Sequence, residues 1–211
     1  MANRVKHRAN TRNITGILSL ATEADIFEGK EWYDRAHRFG IKLIAAYDIT
    51  MGQAIGVIAA LSPNNKWERN CQDADRLINA YLSDHDLSLT KVCTYNSNKQ
   101  KAIDILSLDT ESLDSEAIVS ILNGRKVTAF YRSIMGDPNA VCVDGHAYSV
   151  FIGQRIPTTK TPKIGKVLYE TIQRAYCLVA DRSFEICGHK LTPTQVQAVT
   201  WVTYRRMLKD A

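Results

Sequence analysis

No Cys-x-x-Cys pair occurs in these 211 residues, and the cysteine count, five, is odd. Cys71, Cys93, Cys142, Cys177 and Cys187 match no four-thiolate spacing. That excludes a disulfide framework and a four-cysteine zinc or iron–sulfur site, and leaves reduced, mostly buried thiols as the expectation. The histidines at 7, 37, 85, 146 and 189 form no His-Glu-x-x-His run and no pair at ligand spacing, so no metal motif is present. Five prolines and eleven glycines are too few for a collagenous or low-complexity chain. The longest apolar run, Ala54 to Leu61, is far short of the roughly 20 residues that span a bilayer. Basic residues near Met1 have no apolar stretch behind them. No secretory signal is expected, and a cytoplasmic location follows as the expectation.

What is present is ordinary globular composition, 45% hydrophobic and 23% charged. A chain of this length buries a sizeable core as one large unit or two lobes. Its net charge of +5, from 27 Lys+Arg against 22 Asp+Glu, permits a nucleic-acid partner without requiring one.

Helical periodicity dominates the chain, and strand-type alternation is nearly absent, so the sequence predicts an all-α fold. From Trp32, the apolar residues Ala36, Phe39, Leu43, Ile44 and Tyr47 fall on one helix face. Residues 51–61 are apolar almost all round and predict a central, buried helix, broken at Ser62-Pro63. Further helices are predicted over 67–82, 98–106 and 115–122, the last capped by Asp114 or Ser115. A tight turn at Leu122-Asn-Gly-Arg leads to a helix from Lys126, with Val127, Phe130, Tyr131 and Ile134 on one face. Residues 140–143 read as extended, and a helix starts near Asp144. Helices over 165–180 and 193–209 close the chain, the second opened by Thr192-Pro193.

The chemistry concentrates in Ile121-Leu-Asn-Gly-Arg-Lys-Val-Thr-Ala and Val141-Cys-Val-Asp-Gly-His. A short helix, a glycine turn and a second helix make a helix–hairpin–helix, whose outward N–H groups suit a DNA phosphate. Lys126, at the start of the second helix, is opposed by the helix dipole, which favours a neutral, nucleophilic amine. The plainer reading is a surface lysine that touches phosphate at most. Asp144 reads first as an N-cap. A carboxylate at a helix N-terminus also stays ionised, and can stabilise a cationic sugar transition state. His146 reads as a core or locally hydrogen-bonded histidine.

Gly124-Arg-Lys126-Val-Thr-Ala followed by Val143-Asp144-Gly-His146 resembles the helix–hairpin–helix (HhH-GPD) DNA glycosylase superfamily, in its endonuclease III and 8-oxoguanine glycosylase branches. Ala60-Leu-Ser-Pro-Asn-Asn is similar to the family segment whose polar side chain faces the opened base pair, with Asn64 in that place. Tyr95-Asn-Ser-Asn-Lys-Gln-Lys-Ala is similar to the segment leading the next helix. The likeness covers about residues 45–155. The hairpin departs from the usual Leu-Pro-Gly-x-Gly-x-Lys, keeping only Gly124, and the four-cysteine cluster loop is missing. The form is that of a compact, divergent, phage-type member.

The resemblance implies a two-lobed all-α fold, with one lobe at about 45–140, containing the motif at 115–136, and the other from about 1–44 plus 141–211. It implies a bifunctional DNA glycosylase with AP lyase activity, in which Lys126 is the nucleophile and Asp144 the charge stabiliser. It further implies DNA contacts from Asn64, Asn123, Gly124, Arg125 and His146, with double-stranded DNA as the partner. Basic residues cluster at 4–12, at 155–166 and at 205–209; Arg155, Lys160 and Lys163 follow the Asp144 helix directly and rank first for backbone contact. No cofactor is expected beyond a monovalent cation at the hairpin, and no metal; a monomer in a prokaryotic or phage-infected cell is the default. Two alternatives stay open: a phage transferase that hypermodifies bases in DNA on the same fold, and a non-catalytic helix–hairpin–helix DNA-binding protein.

Overall fold

The computed structural model describes residues 2–109 and 115–209, with side chains from residue 11 onward except those of residues 158 and 209. Among the described residues the chain is all-helical and holds no strand. Its helices are α1 (Ala2–Ser19), α2 (Glu23–Ala46), α3 (Met51–Leu61), α4 (Trp67–Leu82), α5 (Asn96–Leu106), α6 (Ser115–Leu122), α7 (Arg125–Ile134), α8 (Gly145–Ile152), α9 (Lys166–Ala180), α10 (Ser183–Cys187) and α11 (Pro193–Lys209). A single 3-10 turn covers Thr158–Lys160. Contacts divide the chain into Met1–Asp34 with Gly136–Ala211, the first unit, and Arg35–Met135, the second. The resemblance implies bounds near 44 and 140; the contacts divide the chain within α2 and at the end of α7.

In the second unit α3 is the hub, packed against α4, α5, α6 and α7. Thr50 starts it with a capping box: its hydroxyl accepts from Gln53 N at 3.2 Å, while Gln53 Oε1 accepts from Thr50 N at 2.9 Å. Residues Gln53–Leu61 are all buried, as a helix apolar on every side requires. The amide of the buried Gln53 is satisfied by the carbonyl of Leu106, at 3.1 Å. Gly56 permits the close approach: a Cβ there would lie 3.0 Å from both Ile105 and Ile118. Full burial of each such Ile or Leu contributes about 1.5–3 kcal/mol. The C-terminal half of α2 joins this core through Leu43, and His37 Nδ1 lies 2.9 Å from the carbonyl of Ile134.

The first unit packs α1, α8, α9 and α11 around Ile14, Leu18, Val143, Ile172, Tyr176 and Val199. Helix α1 lacks a clear apolar stripe and was not anticipated; Ile14 and Leu18 bury it. Helix α10, of five residues, is too short for periodicity to reveal. Arg206 and Asp25 close this unit. Three hydrogen bonds of 2.8–3.1 Å join them, and Arg206 also donates to the carbonyl of Leu20. Burial raises the Asp25 carboxyl, but the bonds from Arg206 and Thr22 outweigh it and hold the group below its ordinary value.

Candidate functional site

Helices α6 and α7 form a hairpin with a two-residue turn, Asn123-Gly124. Asn123 takes the left-handed conformation (φ 42), which asparagine tolerates, while Gly124 is extended. Asn123 N closes α6 on the carbonyl of Val119, and Thr128 N opens α7 on that of Gly124. Lys101 on α5 donates to the carbonyl of Leu122 at 2.6 Å, placing a cation at the C-terminus of α6. Arg132 pairs with Glu116 at 2.9 Å across the hairpin.

Gly124 caps α7 with no side-chain hydrogen bond. The first N–H groups of a helix have no intrahelical acceptor, so such a start favours an anion. Arg125 and Lys126 are the first two residues of α7 and both side chains are exposed. The face expected to be buried is so only in part. Tyr131 and Ile134 are buried with Ala129 and Ser133, whereas Val127 and Phe130 are half-exposed.

Asn64 lies in the α3–α4 loop, exposed and left-handed (φ 58). Its Nδ2 donates to the Tyr95 hydroxyl at 2.9 Å, and Thr94 holds the carbonyl of Pro63 at 3.0 Å. Asn64 is thus pinned to the segment that leads into α5. Behind it is a carboxylate that the sequence did not single out: Asp73, buried, accepts from Asn65 Nδ2, Cys93 N and Arg76 Nη1 at 3.0, 2.8 and 3.3 Å. A cavity of about 670 Å³ nearby lies between Arg76, Ala80, His85, Leu89 and Lys91; none of the expected site residues lines it.

In the first unit, residues 140–143 are neither helix nor strand and are fixed from two sides. Tyr169 on α9 donates to the carbonyl of Val141 and accepts from Val143 N, both at 3.1 Å. Thr194 on α11 donates to the carbonyls of Ala140 and Asp137. This places Asp144 as the N-cap of α8, its Oδ1 accepting from Ala147 N at 2.8 Å. The carboxylate is half-buried and lies at the positive end of the helix dipole.

His146, in the first turn of α8, is half-buried against α11. Its ring is edge-on to Tyr204 at 6.0 Å and to Trp201 at 6.5 Å. Trp201 in turn meets Trp32 at 6.0 Å and carries Arg205 over its ring at 4.4 Å. Packing, rather than exposure, dominates this histidine.

Arg155, Lys160 and Lys163 are exposed on the loop after α8, and Lys160 N closes the 3-10 turn on the carbonyl of Pro157. The C-terminal basic cluster divides: Arg206 is tied to Asp25 and Arg205 stacks on Trp201. The side chains of Arg4, Lys6, Arg8 and Lys209, and the cap expected at Asp114, lie outside the described residues.

All five cysteines are unbridged, but only Cys142 is buried; the others are half-buried. Burial, then the charge of Glu68, push the Cys71 thiol up to about 12, and burial raises Cys177 as well. Among the described residues no group of three His, Cys, Asp or Glu side chains could hold a metal, and no helix is long and apolar enough to cross a membrane.

The chain is an all-α protein of two helical units, with a basic helix start in one and a carboxylate-capped helix in the other. It belongs to the family described as "Family of unknown function (DUF7178)", whose model matches residues 1–208. No curated protein and no solved structure matches it.

Proposed function

We propose that this chain is a DNA glycosylase with associated AP lyase activity, of the helix–hairpin–helix (HhH-GPD) type. The observation that carries the reading is the α6–α7 hairpin, which presents Lys126 in the first turn of α7 beside a helix start suited to phosphate. Asp144, an ionisable cap on α8 preceded by a segment hydrogen-bonded to Tyr169, supports it. So do the exposed basic residues of the 155–163 loop, as backbone contacts for double-stranded DNA.

The chemistry assigned to these groups is definite. The target base is turned out of the stack. Asp144 stabilises positive charge developing on the sugar, and Lys126 Nζ, as the free amine, bonds to the anomeric carbon as the base leaves with the bonding pair and takes up the proton that the amine sheds. Ring opening yields a Schiff base, and β-elimination expels the 3′ phosphate. DNA, rather than protein, encloses the exposed amine. Asn64, Asn123, Gly124 and Arg125 serve the DNA backbone and the opened pair, and His146 supports the α8 start through α11.

Borohydride trapping tests the reading. Duplexes carrying an abasic site, thymine glycol, 8-oxoguanine, uracil or 5-hydroxymethyluracil are incubated with the full chain. A covalent adduct that disappears in Lys126→Ala supports the amine mechanism. Duplex binding without any adduct removes it, and leaves transfer to a base or plain DNA binding.

A further inference from the structure

The cavity beside Asp73 lies wholly within the second unit and shares no residue with the glycosylase reading. Its walls are the second half of α4 and the loop that follows. That loop is tied down by its own backbone. Asp84 takes the left-handed conformation (φ 52), and His85 N bonds back to the carbonyl of Ala80 at 3.0 Å. Leu89 N and Thr90 N close turns on the carbonyls of Asp86 and Leu87, and Lys99 on α5 donates to the carbonyl of Leu87.

Arg76 is the fixed point of this cavity. Its Nη1 donates to Asp73 Oδ1 at 3.3 Å and to the carbonyl of Lys91 at 2.7 Å. Asp73 is buried, and its other oxygen accepts from Asn65 Nδ2 and Cys93 N. A carboxylate so held orients the guanidinium. Nε and Nη2 of Arg76 make no hydrogen bond among the described residues. They share one edge of the guanidinium, the edge that meets a phosphate or carboxylate through two parallel bonds. Asn79, His85, Thr90 and Lys91 also line the cavity, and none of the four side chains hydrogen-bonds within the described residues. Asp86 is a carboxylate in the same lining; bonds from Ser88, and then the charge of Lys99, hold it below its ordinary value. Arg76 is offset by Asp73 and Asp86 by Lys99, so Lys91 leaves the site positive. Ala80 and the exposed Leu89 give it an apolar wall. Its volume of about 670 Å³ falls within the roughly 300–1,000 Å³ of small-molecule sites.

We propose that this cavity binds a mononucleotide. The phosphate takes the free edge of Arg76 together with Lys91, the base lies against Leu89 and Ala80, and a sugar hydroxyl donates to Asp86. The fork, the apolar wall and the acceptor each match one part of such a ligand.

Calorimetric titration of the full chain tests it, with deoxynucleoside monophosphates, the matching nucleosides, inorganic phosphate and an undamaged duplex as separate titrants. A monophosphate is expected to bind with a Kd of about 100 μM, and nucleoside and inorganic phosphate about tenfold more weakly or less. Lys91→Ala removes one charge-assisted bond at an exposed side chain and should weaken the monophosphate about tenfold. Arg76→Lys keeps a charge against Asp73 but loses the fork, and should weaken it at least as much. Leu89→Ala should weaken the monophosphate about fivefold and leave inorganic phosphate unchanged. Absence of monophosphate binding overturns the proposal, and so does binding that Lys91→Ala and Leu89→Ala leave unchanged. Inorganic phosphate binding as tightly as the nucleotide overturns it as well, marking a plain anion site. A duplex that binds through Lys91 while monophosphates do not bind also overturns it, since the phosphate is then that of a strand. Monophosphate binding is read without trapping, so failure of the glycosylase reading and failure of this one are distinct results.

Discussion

Lys126 and Asp144 occupy helix starts of opposite character. The lysine is exposed in the first turn of α7, where its charge is set against the helix dipole and a glycine provides the cap. The aspartate is half-buried and in harmony with its dipole, and its carboxylate makes the cap itself. One side chain is exposed at a helix start that opposes its charge; the other is part of the fold. On the proposed reading, replacing the first tests chemistry, whereas replacing the second tests chemistry and stability together.

The sharpest way to break this contrast is Lys126→Ala. Complete loss of the borohydride adduct is expected, with stability within about 0.5 kcal/mol of wild type by urea titration. A large stability loss would mean that the lysine is structural after all. Asp144 splits into two variants. Asp144→Asn retains a capping oxygen, and should slow single-turnover excision about a hundredfold with little change in stability. Asp144→Ala should add a loss of about 1 kcal/mol.

Two glycines of α2 extend the contrast to the two cores. A Cβ at Gly29 would lie 2.5 Å from the Cα of Val199, which is backbone, so Gly29→Ala should cost about 3 kcal/mol in thermal unfolding. At Gly40 the obstacle is the flexible end of Ile55, and Gly40→Ala should stay within about 1 kcal/mol of wild type.

Acid tests the first unit through Asp25, whose carboxyl is held below its ordinary value in the fold. A depressed carboxyl contributes stability that is fully present above its unfolded value, and that is lost as pH falls through the folded value. Asp25→Asn should therefore flatten the acid limb of stability below about pH 4, and a limb of unchanged steepness would assign it to other carboxyls. The smallest effect expected is on salt dependence: Lys160→Ala should lessen the slope of DNA affinity against salt by about one phosphate contact.

Periodicity and caps made much of the fold legible. Helix α3 follows from an unbroken apolar run, α11 from Thr192-Pro193, and the α6–α7 turn from Asn123-Gly124. In α11 the cap is reciprocal, Gln195 N donating to the Thr192 hydroxyl and Gln195 Oε1 accepting from Thr192 N. Helix α1 was not legible, because its sequence carries no clear apolar stripe. The Asp25–Arg206 pair joins residues 181 apart, and no local rule couples them. The Asp73 network is equally hidden, since one of its donors is a backbone N–H twenty residues away. Around the candidate residues, sequence indicated which groups begin helices. A surface position was the plainer of the two readings of Lys126 and is where it lies, whereas the rings against His146 were not legible, because ring contacts arise from tertiary packing.

The split membership of α2 bears on how the chain comes together during synthesis. Residues 35–135 form a unit from one continuous stretch, which can close while later residues are still being added. The other unit takes its helices from both sides of that stretch, so α1 and the first half of α2 must wait for α8, α9 and α11. Ile14 and Leu18 stay uncovered over that interval, and a ribosome pausing between residues 135 and 193 would lengthen their exposure to chaperones and proteases.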